Sequence, residues 1–84
     1  MELIYDSKIK GAFRGWKGNN IYPLINGMYW KQKNYKYSYH YAYRPKARIW
    51  QEGSTKFLEV EGMKEMVAVR RATSSEIEEF ENEE

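Results

Sequence analysis

The chain reads as an all-β fold: a small antiparallel barrel of five or six strands, followed by an acidic C-terminal tail. Three observations carry that expectation. Turn signals recur at short, even intervals, at Gly15 to Asn20, Asn26-Gly27, Glu52-Gly53-Ser54 and Glu61-Gly62. The runs between them have strand length, and no window from residue 1 to 72 sustains a helical period. The chain has 84 residues, enough for one small domain, and strands this short and numerous bury their apolar faces most economically by closing on themselves.

The first expected strand is Lys8 to Arg14. Its odd positions Ile9, Gly11 and Phe13 face inward while Lys8, Lys10 and Arg14 face water. Ahead of it, Met1 to Asp6 carries neither the basic start nor the apolar run of an export signal, and no stretch reaches membrane-spanning length. A soluble, cytoplasmic protein is therefore expected. Trp16 falls in the Gly15 to Asn20 turn, where its ring either caps the core or stands at the barrel mouth. Asn26-Gly27 then signals a two-residue type I′ turn joining Ile21 to Ile25 with Met28 to Lys33. Met28 and Trp30 face inward on even positions, Trp30 as a cap on the core, whereas from Tyr35 onward the aromatic positions are odd. That change of parity predicts a bulge or sharp bend near Lys33-Asn34. Pro45 ends the tyrosine strand or marks it as an edge. Ala47 to Gln51, Thr55 to Glu61 and Glu65 to Arg71 complete the series in meander order.

Residues 1–72 form the expected domain and 73–84 the tail. Ser74 to Glu84 holds six glutamates and no cation, a composition that predicts a solvated, mostly disordered segment. Thr73 with Glu76, or Ser75 with Glu78, nevertheless has capping-box spacing, and Ile77 and Phe80 stand at i and i+3, so a short helix is the other outcome. All 14 cations lie in residues 1–73 with six anions, which gives that body +8 against −6 in the tail. Such a basic body favours association with polyanions. The acidic tail is an internal candidate for that role.

The most unusual run is Tyr35-Lys36-Tyr37-Ser38-Tyr39-His40-Tyr41-Ala42-Tyr43-Arg44, in which five tyrosines alternate. On an extended strand they share one face over roughly 26 Å. A row of rings beside cations suits single-stranded nucleic acid, because every base has a π-face and every nucleotide a phosphate. The competing expectation makes the row a barrel wall with most of its rings buried and those at one end exposed. The candidate nucleic-acid-binding set is therefore Tyr35, Tyr37, Tyr39, Tyr41 and Tyr43 with Lys8, Lys10, Arg14, Lys31, Lys33, Lys36, Arg44 and Arg48. The same lysines would equally serve to keep sheet edges from aggregating. Trp50, next to Arg48 in the strand pattern, is either a binding or a capping ring.

Catalysis and metal binding find little support. There is no cysteine and one histidine, His40, with no acid partner nearby in sequence, so neither a nucleophile with its base nor a usual zinc set can be assembled. Glu59 and Glu61 imitate a carboxylate pair but alternate with Leu58 and Val60, as solvent-facing strand residues do. Gly11, Gly15 and Gly18 are too dispersed to cradle a phosphate. No cofactor is expected.

Lys10-Gly11-Ala12-Phe13-Arg14-Gly15-Trp16-Lys17-Gly18, then Leu24-Ile25-Asn26-Gly27-Met28-Tyr29-Trp30-Lys31-Gln32, then the tyrosine alternation ending Tyr43-Arg44-Pro45, resembles a group of small uncharacterised prokaryotic β-domains. The likeness spans about residues 8 to 71. A Gly-aromatic strand followed by a Leu-x-Asn-Gly hairpin is also similar to SH3-like barrels, including Sm-like and Tudor-type modules. That resemblance implies an SH3-like closure, with an OB-like one the alternative. The expected function is a non-catalytic nucleic-acid-binding module. The alternative is a protein-interaction or self-associating module working through an edge strand or the aromatic face.

Overall fold

The computed structural model describes residues 1–83, and its strands pair antiparallel throughout. In chain order they are β1 (Glu2–Lys8), β2 (Ala12–Lys17), β3 (Ile21–Pro23), β4 (Tyr29–Gln32), β5 (Tyr37–Tyr43), β6 (Lys46–Glu52), β7 (Thr55–Val60) and β8 (Val67–Arg71), with one helix, α1 (Ser74–Asn82). Six strands form a sheet in the order β1-β6-β7-β8-β4-β3, and β2 and β5 form a separate two-stranded ribbon. Ile9, Phe13, Trp16, Tyr22, Leu24, Trp30, Ile49, Leu58, Val60, Val67 and Val69 fill the space between them.

The chain is thus mostly antiparallel β, but with eight strands in two sheets where five or six in one closed barrel were expected. No ladder closes the large sheet. Its edge strands β1 and β3 lead to a single bridge, Ile9 opposite Leu24, where Ile25 N donates to Lys8 O at 2.9 Å and Lys10 N to Pro23 O at 2.8 Å. The expected meander holds only for β6, β7 and β8. After β4 the chain leaves the large sheet to build the ribbon, and β8 returns to pair with β4.

Several elements depart from the sequence reading for local reasons. β1 was hidden because its register with β6 shifts between Leu3 and Tyr5, which breaks the alternation that marks a strand. The expected Lys8 to Arg14 strand is two strand ends joined at Gly11, whose φ of 84° turns the corner. Its parity survives, with Ile9 and Phe13 buried and Lys8, Lys10 and Arg14 exposed. Trp16 lies in β2, not in a loop, and is buried. The Asn26-Gly27 hairpin uses a three-residue loop, closed by Gly27 N to Leu24 O at 3.1 Å and Leu24 N to Met28 O at 2.9 Å. Only Gly27 of that turn takes positive φ, so it is the longer loop type and not type I′.

The bend expected near Lys33-Asn34 is present, since β4 ends at Gln32 and β5 begins at Tyr37. Residues 74–82 are helical, in place of the expected disordered tail; Glu84, the last residue of that expectation, lies outside the described residues. Thr73 caps α1 through the predicted box: Glu76 N donates to Thr73 Oγ1 at 3.2 Å and Thr73 N to Glu76 Oε1 at 2.9 Å. So short a helix needs tertiary support. It receives it from Phe80, edge-on to Tyr29 with ring centres 6.4 Å apart, and from Tyr29 Oη, which donates to Glu81 Oε2 at 2.7 Å. Among the described residues no helix is long and apolar enough to cross a membrane.

Candidate functional site

The ribbon sorts its side chains by register. Ala12 opposes Tyr43, Phe13 opposes Ala42, Trp16 opposes Ser38 and Lys17 opposes Tyr37. Phe13 and Trp16 are buried, so their face is the inner one, and the tyrosines of β5 share the outer face with Arg14 and Lys17. All five rings, Tyr35, Tyr37, Tyr39, Tyr41 and Tyr43, are 53 to 76 % exposed. The barrel-wall expectation is therefore overturned. Phe13 and Trp16 already fill the inner face, and strand alternation sends the tyrosines outward.

Two devices hold this arrangement. Between Phe13 and Gly15 the register shifts, so that His40 and Tyr41 together oppose Arg14. Gly15 absorbs the mismatch with φ of 93°, in a place where a Cβ would lie 1.9 Å from Ser38 O; only glycine fits there. The second device aims the turn that feeds β5. Tyr22 Oη donates to Gln32 Oε1 at 2.6 Å and accepts from Lys17 N at 3.1 Å, while Gln32 Nε2 donates to Asn34 O at 2.9 Å and Lys36 O at 3.0 Å. Gln32 is buried and its amide is fully engaged, so the 33–36 turn is pinned from inside. Burial pushes the Tyr22 phenol up to about 12. On the outer face, a hydrogen bond with Tyr35 holds the Tyr37 phenol above its ordinary value.

The candidate cations divide into paired and unpaired. Lys31 reaches Glu76 at 3.7 Å and donates to Asn19 O at 3.0 Å, Lys36 pairs with Glu65, and Arg48 lies 3.6 Å from Asp6 and 3.9 Å from Glu59. Arg14 stands with its guanidinium carbon 5.9 Å from the centre of the Tyr41 ring. Lys8, Lys10 and Lys33 are exposed with no ion pair among the described residues, and Arg44, equally exposed, ends the row with a left-handed backbone (φ 50°). The structure thus joins Arg14 to the tyrosine row and leaves Lys31 and Arg48 on the large sheet. Lys17 was not in the predicted set, because its turn assignment concealed it. Its signal was the Gly15-Trp16 pair, which places a large ring inward and the next residue outward.

No protein-family model, no curated protein and no solved structure matches the chain. The site stands on its own geometry. Among the described residues no group of three or more His, Cys, Asp or Glu is placed to hold a metal. His40 points beneath the ribbon toward Gly62, where an added Cβ would lie 2.5 Å from its Nε2. Trp50 is half-buried on β6 and donates from Nε1 to Glu59 Oε1 at 2.9 Å, away from the row.

Proposed function

We propose that this chain is a non-catalytic binding module for nucleic acid, with the outer face of the β2–β5 ribbon as its contact surface. One observation carries the reading: a full row of tyrosines is exposed on one face, with Arg14 and Lys17 on the same face. Each ring offered to a base is worth about 1 to 3 kcal/mol of stacking, and adjoining cations neutralise phosphates. The single bridge between Ile9 and Leu24, which brings the edges of the large sheet together, supports a small barrel of SH3-like or OB-like kind related to the prokaryotic β-domains that the chain resembles. The cysteine-free composition supports a cytoplasmic setting.

Fluorescence anisotropy with labelled single-stranded DNA and RNA, at about 50 and 200 mM salt, tests the function. Binding that weakens with salt, and that disappears in a folded Tyr37→Ala/Tyr39→Ala/Tyr41→Ala variant, is the expected outcome. No binding at low salt sinks the reading. Salt-resistant self-association lost in the same variant replaces it with an interface between proteins.

A further inference from the structure

A cleft of about 310 Å³ opens where β2 and β3 fail to pair. Its floor includes the buried Phe13 and Tyr22, its rim carries Lys10, Arg14 and Lys17, and Phe80 of α1 forms its far lip. None of its lining residues is acidic. The adjoining cleft beyond Ile21 and Phe80 differs, since Glu76, Glu79 and Glu83 of the helix line it with Lys31, so the acidic charge lies on the far side of Phe80. Clefts elsewhere are mixed as well, with Glu59 and Glu61 beside Lys46 and Arg48, Glu65 beside Lys36, and Asp6 beside Lys8. None of the three rim cations has an ion-pair partner among the described residues. Two of the three also belong to the tyrosine face, Arg14 over Tyr41 and Lys17 opposite Tyr37. The cleft and the ring row are therefore adjoining tracks along one strand.

Ring spacing selects the form of the ligand. Tyrosines two residues apart on a strand repeat at about 6.6 Å, nearly twice the roughly 3.4 Å step of stacked bases. Tyr35 and Tyr37 are the one pair of the row in ring contact, at 5.4 Å, so Tyr37, Tyr39, Tyr41 and Tyr43 stand apart with gaps between them. A duplex keeps its base faces against each other and offers them only at its ends. A splayed single strand offers one face per nucleotide.

Building on the nucleic-acid reading above, we infer that the ligand is a single strand of about three to four nucleotides. Its bases enter the gaps of the Tyr37 to Tyr43 row, and its phosphates follow Lys10, Arg14 and Lys17 along the β2 side of the cleft. Lys31, Lys36 and Arg48 are committed to carboxylates and contribute little.

The test compares two triple variants of the full chain, Lys10→Gln/Arg14→Gln/Lys17→Gln and Lys31→Gln/Lys36→Gln/Arg48→Gln, each confirmed folded by circular dichroism. The probes are labelled dT12, rU12 and a 12-base-pair DNA duplex. Three neutralised phosphates on a single strand give a salt slope near −2, so the wild-type protein should lose about 20-fold in affinity between 50 and 200 mM salt. The cleft variant should lose that dependence. The second variant should keep it, and Lys17→Gln alone should lower the slope by about 0.7. Duplex bound as tightly as dT12 overturns the inference. So does a cleft variant that keeps the wild-type slope while tyrosine dependence persists, an outcome that leaves the broader reading standing. Absence of binding to all three probes at 50 mM salt removes both.

Discussion

Tyr22 and Tyr39 are one residue type in two settings, both in contact with or within the same two-stranded ribbon. Tyr22 packs edge-on against Trp16 with ring centres 5.4 Å apart and spends its hydroxyl on Gln32 and on the backbone of Lys17. Tyr39 stands over Gly15 on the outer face and is 76 % exposed. The inner ring contributes to folding, since burying a large side chain stabilises by about 1.5 to 3 kcal/mol. The outer ring makes no such contribution and leaves its surface free for a ligand. A ribbon that needed its tyrosines for its own stability would have turned them inward, where Phe13 and Trp16 already are.

This contrast is open to attack by mutation, beginning with the largest effect. Trp16→Ala should cost about 3 to 5 kcal/mol in urea unfolding, whereas Tyr39→Ala should fall within about 0.5 kcal/mol of the wild-type protein. Equal costs would show that the outer row is structural after all. Gly15→Ala forces a methyl group against Ser38 O and should lower stability by about 3 kcal/mol, with loss of ribbon amide protection in hydrogen exchange. Gln32→Leu removes the Tyr22 hydroxyl's closest acceptor, the side-chain donor to Asn34 O and one of the two donors to Lys36 O, which keeps Gly18 N, a change expected to cost about 1 to 3 kcal/mol. Its more informative readout is tyrosine fluorescence anisotropy, which should fall if the 33–36 turn loosens the row.

Two further effects appear only at the extremes of pH. Tyr22 is held neutral up to about 12 in the folded chain while the unfolded chain ionises near 10. Stability should be level below pH 10 and decline as pH rises from 10 to 12; a Tyr22→Phe variant should decline less steeply, keeping only the part that comes from Tyr37. Glu76 behaves in the opposite sense. Its hydrogen bonds from Arg70, at 2.7 and 2.8 Å, and from the Thr73 backbone hold its carboxyl down to about 2. The docking of α1 should therefore be intact above pH 4.5 and weaken as pH falls from 4.5 toward 2. Proton NMR of the Phe80 and Tyr29 ring resonances reports it, and Glu76→Gln should show the undocked shifts at neutral pH.

Strand parity was legible wherever it was local. Ile9 and Phe13 against Lys8, Lys10 and Arg14 could be read directly, as could the bend after Lys33 and the Thr73–Glu76 cap. What stayed hidden came from elements distant in sequence. The register shift between Leu3 and Tyr5 exists only against β6, so β1 left no alternation to detect. The Lys36–Glu65 pair spans 29 positions and the Tyr29–Glu81 hydrogen bond spans 52, and neither spacing carries a periodic signal. The candidate site was half legible for the same reason. Alternation gathered the tyrosines onto one face, but only the packing of Phe13 and Trp16 decides which face is outward, and only distant carboxylates decide which cations are free.

The alternation in β5 also makes the row a ruler graduated in steps of two. Inserting a Thr-Tyr dipeptide after Tyr41 would lengthen the face by one ring and preserve every direction already set. Inserting a single residue at the same place would turn Tyr43 toward the core and leave Tyr37, Tyr39 and Tyr41 where they are. Even-numbered length changes therefore alter capacity, and odd-numbered ones alter identity. The reach of this surface along an extended chain can be rescaled without redesigning what lies beneath it.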